Sequence, residues 1–125
     1  MKLKTIRDIL IADTRITDVV GDNIFVAYAD KEVPAPFIII ESMAQAPINC
    51  KDRASVMDNY TFNVTAVAED YGTVETLLGF SREDLDMYKD TDFKGIRFAG
   101  LFDGYDGTQD YFVNTFSFNS LTTAP

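Results

Sequence analysis

The sequence predicts an α+β fold in which a mostly antiparallel sheet of four to five strands carries two helices on one face. Three observations predict it. The segment "YTFNVTAVAE" alternates apolar and polar residues, as a strand with one buried and one solvated face does. Apolar residues recur at helical spacing near the N-terminus and again after this strand. Two strand-like segments near the C-terminus are joined by turn residues, which predicts a hairpin.

The N-terminal segment predicts a helix over residues 3–12, because apolar side chains recur there with charged ones between them. Asp13 or Thr14 can cap a second, shorter helix, and Gly21 can supply its left-handed C-cap. Another helix is predicted over residues 70–90, in which the glycine at position 79 favours a kink or break near 79–81.

The strands are predicted from apolar runs and from alternation with a period of two. Four consecutive large apolar residues, "FIII", indicate a strand inside the sheet. The loop after this strand, residues 44–58, is longer than a hairpin needs, and such loops are usually functional or disordered. The tail "LTTAP" is expected to fray. The predicted strands span residues 23–28, 37–43, 59–69, 95–102 and 110–120.

Composition excludes several classes of function. The 125 residues fit one domain, and 46% hydrophobic content is typical of a globular chain. The single cysteine excludes a disulfide framework, and no apolar run is long enough to cross a membrane or to serve as a signal peptide, so synthesis in the cytoplasm is expected. The net charge of −9 argues against binding nucleic acid, because the phosphate backbone would be repelled.

No residue pattern predicts a catalytic or metal site, and we expect no cofactor. Cys50 lies beside Lys51 and Arg53, but the chain has no histidine to act as a base, so Cys50 is interpreted as incidental. The run "DGYDGTQD" holds three aspartates, but their spacing does not follow a calcium-binding loop and suits a hairpin turn. We interpret the aromatic residues of the last strand as core, since a base-stacking sheet needs a basic groove; they are Tyr111, Phe112, Phe116 and Phe118.

The order of segments resembles the tail terminator (tail completion) family of long-tailed bacteriophages. The residues that carry the resemblance are "ILIADTRITDVVGDNIFVAYA", the proline-led strand "PAPFIIIES", the strand "YTFNVTAVAED" and the closing hairpin "IRFAGLF…YFVNTFSF". It extends over nearly the whole chain, which would then be a single tail-terminator-like domain over residues 1–125. This sequence departs from the family in the helix predicted over residues 70–90, where Gly79 and "FSREDLDMYKD" stand in place of an uninterrupted helix.

The resemblance implies a homohexameric ring that caps the tail tube, ends its polymerisation and provides the surface on which the head docks. The expected partners are other copies of this chain, the tail tube protein and a head-tail connector or stopper, in the tail or neck of a virion. DNA would pass through the ring without specific binding, repelled by accumulated negative charge.

Two groups of residues are predicted to make contacts in such a ring. The long loop would project as a hairpin tip onto the tube end or into the lumen, with contact residues Asn49, Lys51, Asp52, Arg53, Val56 and Met57. The exposed strand edges would pair with a neighbouring subunit, since a closed ring consumes its edges. The residues predicted at those edges are Ile24, Val26, Val113 and Thr115.

Two other functions are consistent with the same sequence. Another head-tail neck protein, a stopper or connector, would share its size and fold class. An acidic inhibitor that mimics DNA would share the negative charge, although many carboxylates of this chain fall in turns and not along helices. An enzyme is the weakest alternative, since no catalytic constellation is present.

Overall fold

A computed structural model describes residues 2–21, 23–26, 36–47, 57–90, 93–106 and 111–123. Three helices and five strands follow one another in the chain, and the α+β class predicted from sequence is confirmed. The helices are α1 (Lys2–Ile11), α2 (Thr14–Val20) and α3 (Tyr71–Leu85); the strands are β1 (Ile24–Val26), β2 (Phe37–Pro47), β3 (Met57–Ala68), β4 (Arg97–Asp106) and β5 (Tyr111–Thr123).

The strands form one sheet in the order β1-β2-β3-β5-β4. All neighbours are antiparallel except β1 and β2, which run parallel from Ile24↔Ile38 to Val26↔Ile40. The chain leaves β3, passes through α3 and returns as β4, which lies two places away from β3; β5 then fills the place between them. The two outermost strands of the described sheet are therefore β1 and β4.

The core lies between the helices and one face of the sheet. Alternate residues of β3 from Tyr60 to Ala68 point to this face and are buried, as the period-two pattern predicts. Phe62 of β3 stacks on Phe118 of β5 with ring centroids 5.4 Å apart, and Phe98 and Phe116 meet edge to face at 4.8 Å. The prediction that the aromatic residues at 112, 116 and 118 pack in the core is confirmed.

The helix caps follow the sequence signals. Asp13 is the N-cap of α2 and accepts a hydrogen bond from Arg15 N, while Gly21 after it has a φ of 63° and donates to Thr17 O. The prediction of a kink or break near 79–81 is wrong, because α3 runs through Gly79 without interruption. Its N-cap, Asp70, accepts from Thr73 N.

Three segments extend further into strands than the sequence predicted. β2 continues to Pro47 and β3 begins at Met57. Residues 44–47 and 57–58 of the predicted loop 44–58 therefore belong to a long antiparallel hairpin. β4 continues through the predicted turn to Asp106. The tail is ordered in β5 as far as Thr123, because this end pairs with β3 and with Phe93. Fraying of residues 121–123 was therefore a wrong prediction.

Candidate functional site

The described residues offer surfaces and not a catalytic centre. No group of three or more metal-ligating side chains occurs among them, and no helix in the described part of the chain is long and apolar enough to cross a membrane. Cys50 and Asp110 lie outside the described residues; Asp103 and Asp106 lie on β4, where the backbone is described. The features with geometry that can be analysed are the sheet edges, the open sheet face and a groove beside α3.

The predicted partner-contact loop lies at the far end of the β2–β3 hairpin. The arms pair as far as Pro47↔Asp58, and Gln45 Nε2 donates to Asp58 Oδ2 across them. Met57 is the first residue of β3. The other five predicted contact residues lie outside the described residues: Asn49, Lys51, Asp52, Arg53 and Val56. The structure thus places the base of the tip, and the contacts of the tip stay a prediction.

The predicted subunit edges divide into two cases. Ile24 and Val26 lie on β1, at an edge of the described sheet. Val113 and Thr115 do not lie at an edge: β5 pairs with β3 on one side and β4 on the other, so Val113 faces both Val67 and Gly104. That part of the prediction is wrong, because a strand paired on both sides has no backbone groups left to offer a neighbouring subunit.

The edge presented by β1 is short and partly covered. Ile38 N donates to Asn23 O, so the backbone groups of residues 23 and 25 point towards β2. The backbone N–H and C=O of Ile24 therefore point away from β2. The outward carbonyl of Ile24 accepts a hydrogen bond of 2.8 Å from Arg7 Nε of α1. This contact removes one acceptor that a second strand would need.

Two longer stretches of edge are not paired by any described residue. β1 pairs only with residues 38–40 of β2, which leaves residues 41–47 of that strand open on the same side. At the opposite end of the sheet, the turn after α3 covers the beginning of β4, where Phe98 N donates to Asp86 Oδ1 and Ile96 bonds to the turn. Past this point, residues 100–106 have β5 on one side and no described strand on the other.

A groove opens beside the free edge of β4, between that strand and α3. It has a volume of about 250 Å³ and is lined by Tyr71, Glu75, Leu78, Gly79, Arg82, Leu101, Asn114 and Phe116. Leu101 is 48% exposed there, although it is a large apolar residue. Asn114 is 2% exposed, and its Oδ1 has no hydrogen-bond partner among the described residues. Buried polar atoms are normally paired, and no described residue supplies a donor to this oxygen.

No described helix packs on the opposite face of the sheet, and the described central strands carry mostly uncharged side chains there. Alternation and register put hydroxyl and amide side chains on its central strands, and Thr65 and Thr115 share a hydrogen bond of 2.9 Å across β3 and β5. The polar residues of this face on the central strands are Thr61, Asn63, Thr65, Thr115, Ser117 and Asn119. These uncharged side chains neither attract nor repel phosphate strongly.

Carboxylates concentrate instead on the helical side. Arg15 contacts both Asp13, at 2.9 Å, and Glu83, at 2.8 Å, and its guanidinium lies 4.3 Å from the centre of the Phe80 ring. The hydrogen bond from Arg15 lowers the pKa of Asp13 to about 2. Burial and the neighbouring Asp13 carboxyl raise the pKa of Asp84 to about 7. This cluster ties α2 to α3, and its effect is structural.

Sequence reasoning missed the two free edges and the groove. The groove depends on the position of α3 over β4 and β5, which spacing along the chain does not give. A signal for the β4 edge was present in its composition, since glycine and aspartate are depleted inside sheets and this strand contains two of each.

Comparison with solved structures gives a close match of fold. A chain described as "Virion of native gene transfer agent (GTA) particle" superposes with a TM-score of 0.80 at 13% sequence identity, covering 95% of this chain and 92% of the other. A crystal structure from Akkermansia muciniphila matches with a TM-score of 0.43 at 11% identity, over 99% of this chain and 76% of that one, and adds no argument. No protein-family model and no curated protein matches the sequence. The first likeness shows a shared fold.

Proposed function

We propose that this protein is a structural component of a virion: a tail terminator that forms a homohexameric ring on the tail tube, ends tube polymerisation and presents the docking surface for the head. The observation that carries the proposal is the fold shared with a chain of a gene transfer agent virion, at a TM-score of 0.80 over nearly the full length of both chains. The order of sequence segments supports it independently, since it resembles the tail terminator family.

The described structure is compatible with a role that needs no chemistry. A ring that stops a polymer works by surface complementarity: one face matches the last tube subunits and the other offers no site for another. The partners would be the tail tube protein on one side and a head-tail connector or stopper on the other. In this proposal the protein uses no cofactor and no catalytic residue.

Charge supports the passage of DNA through such a ring. Each chain has a net charge of −9, so six copies would carry six times that value. Fields of one sign extend over about 8–10 Å at physiological salt and repel phosphates of the same sign. A genome could then move through the lumen without adhering to its wall.

The β2–β3 hairpin supports a specific contact with the tube. Its arms pair as far as Pro47↔Asp58, and the tip between them is the segment proposed to meet the tube end. Replacing residues 48–57 by a two-residue Asn-Gly turn connects the paired residues Pro47 and Asp58 directly and should leave the sheet folded, because its register is fixed by β2, β3 and β5. We expect tails of uncontrolled length or headless particles from this variant, and normal particles would contradict the role of the tip. Cys50→Ser should leave assembly unchanged.

The proposal is tested by size-exclusion chromatography with light scattering, followed by negative-stain imaging with purified tail tubes. A hexamer in solution, or a ring bound at one tube end that blocks further growth, supports the terminator. Binding only to connector complexes would assign the protein to another position in the neck. A stable monomer that ignores tubes and inhibits a nuclease would identify the DNA-mimic alternative and overturn the proposal.

A further inference from the structure

We infer that copies of this chain join head to tail by strand pairing, with residues 100–106 of β4 in one copy antiparallel to residues 41–47 of β2 in the next. The inference rests on the proposed ring and names the surfaces that close it. It assigns a role to two stretches of edge that lie at opposite sides of the sheet and to the groove beside one of them.

The positions of the two edges suit a heterologous interface. In the order β1-β2-β3-β5-β4, the open part of β2 faces one side of the sheet and β4 faces the other. Two different surfaces on opposite sides generate a ring when the rotation between copies closes. A closed ring leaves no exposed edge, which removes the aggregation hazard that each free edge presents in a single copy.

The strand directions also suit this pairing. β2 is antiparallel to β3, β3 to β5, and β5 to β4, so β2 and β4 of one chain run in opposite directions. If the sheet of one copy continues into the sheet of the next, β4 meets β2 in the antiparallel sense, which is the more stable form of pairing per residue. The ring would then contain one continuous sheet interrupted only by β1.

The short length of β1 makes the pairing possible. β1 has three residues and covers residues 38–40, so no described residue pairs with the far half of β2 on that side. Bulges occur near each open stretch, between Ser42 and Ala44 and between Phe98 and Gly100. A bulge interrupts the regular ladder, so it restricts which register a second strand can adopt and limits pairing with unrelated chains.

Among the described side chains, each open stretch carries a large apolar one that is exposed in the single copy. Met43 on β2 is 56% exposed, and Leu101 on β4 is 48% exposed. Burying side chains of this size contributes enough free energy to change a dissociation constant by roughly 10- to 100-fold. Their positions on the two edges are what an interface between those edges requires.

The groove beside β4 gives the interface a second layer. A strand added to β4 would extend the floor of the sheet past Leu101, and the next copy would then approach the exposed side of α3. Asn114 Oδ1 in the groove has no partner among the described residues and could accept a hydrogen bond from that copy. A Cβ added at Gly79 would meet no described atom within 4 Å, so the helix surface is open at the place where the next copy would pack.

The test is chemical cross-linking in a cysteine-free background. Cys50 is the only cysteine, so Cys50→Ser provides that background, and Met43→Cys and Leu101→Cys place one thiol on each edge. A short bis-maleimide should join the two single-cysteine proteins to each other when they are mixed, and it should convert the double-cysteine protein into a ladder of multimers up to a closed ring. Leu121→Cys, which is 43% exposed on the interior strand β5, is the matched control and should not cross-link to either thiol.

Three results would overturn the inference. Leu101→Cys chains that link to each other as dimers would show an interface between identical edges. A Cys50→Ser protein that forms hexamers, or rings on tail tubes, without any 43–101 cross-link would place the interface elsewhere while leaving the proposed function intact. A protein that forms no assembly, either alone at high concentration or with purified tubes, would overturn the proposed function and the inference together.

Substitutions at Gly79 separate assembly from folding. Gly79→Ala and Gly79→Leu both replace a helix-interior glycine, so both should make the single copy more resistant to urea. Only the larger side chain fills the groove. We expect Gly79→Leu to weaken assembly at least 10-fold and Gly79→Ala to weaken it less than 3-fold, as measured by light scattering over a dilution series. Equal assembly of the two variants would exclude the groove from the interface.

Discussion

The carboxyl pair between α2 and α3 should make the stability of this protein fall between about pH 4 and pH 7. The carboxyls of Asp13 and Asp84 interact, and Arg15 contacts Asp84 at 3.7 Å and Asp13 at 2.9 Å. Asp84 Oδ2 is buried and has no hydrogen-bond partner among the described residues. Because two carboxylates this close resist ionising together, the pair titrates in two widely separated steps.

The sign follows from the two pKa values. Burial and Asp13 raise the pKa of Asp84 from 3.8 to about 7, so between these values the folded state binds more protons than the unfolded state, and stability is lost as the pH rises. The hydrogen bond from Arg15 lowers the pKa of Asp13 from 3.8 to about 2, so its contribution is lost as the pH falls below 4. Together the two groups place the pair's most favourable contribution near pH 4.

The magnitude for Asp84 follows from the size of its shift. A difference of about three pH units at about 1.4 kcal/mol per unit gives an upper figure of about 4 kcal/mol. One fifth of the Asp84 side chain is exposed, and solvent screening reduces the cost of its charge. We therefore expect the free energy of unfolding to fall by about 2–3 kcal/mol from pH 4 to pH 8 through this group.

Asp84→Asn tests this directly, because the amide keeps the shape of the side chain and can donate to Asp13 without a second charge. Urea unfolding followed by far-UV circular dichroism at pH 4, 6 and 8 should show the variant more stable than wild type by about 2–3 kcal/mol at pH 8 and within about 1 kcal/mol at pH 4. Glu83→Gln, at a position 63% exposed, is the control and should change the pH profile little. The reasoning is refuted if Asp84→Asn has the same pH profile as wild type.

Three further substitutions test other parts of the structure. Phe62→Ala removes a fully buried ring stacked on Phe118 and should lower the free energy of unfolding by about 3–5 kcal/mol, measured by urea titration. Asp70→Ala removes the N-cap of α3, whose carboxylate accepts from Thr73 N, and should cost about 1 kcal/mol in the same assay. Met87→Gly should raise the thermal midpoint, with a gain of about 0.5–1 kcal/mol, because Met87 has a φ of 69°.

Each of these has a matched control on the same chain. Leu121→Ala removes a side chain that is 43% exposed and should cost less than about 1 kcal/mol; a similar loss at Phe62 would mean that its ring stack contributes little. Glu69→Ala, next to the cap, should change stability little, and an equal effect would show that charge near the helix end matters more than the cap itself. Loss of stability in Met87→Gly would mean that the side chain contributes more than the backbone conformation costs.

The elements of this fold were largely predictable from local pattern because local physics determines them. Alternation in β3 identified a strand with one buried face, and the caps at Asp13 and Gly21 bounded α2. The extent of the strands was less accessible. Ends such as Thr123 are held by partners on other strands, and cross-strand pairing can order a segment whose own composition suggests a frayed tail.

The order of strands in the sheet could not be predicted from local sequence pattern, and this order decides which strands lie at an edge. Alternation tells which face of a strand is buried, but it does not tell which strands lie beside it. β5 was expected at an edge that pairs in a ring, yet it carries apolar or β-branched side chains such as Phe118 and Thr115 on both faces, as interior strands do. β4, with Gly100, Gly104 and two aspartates, has the composition of an edge strand. A contact made by backbone groups at an edge depends little on which side chains the strand carries. The interface of a ring built on such edges therefore has no characteristic motif. It is better predicted from strands whose composition is unfavourable inside a sheet.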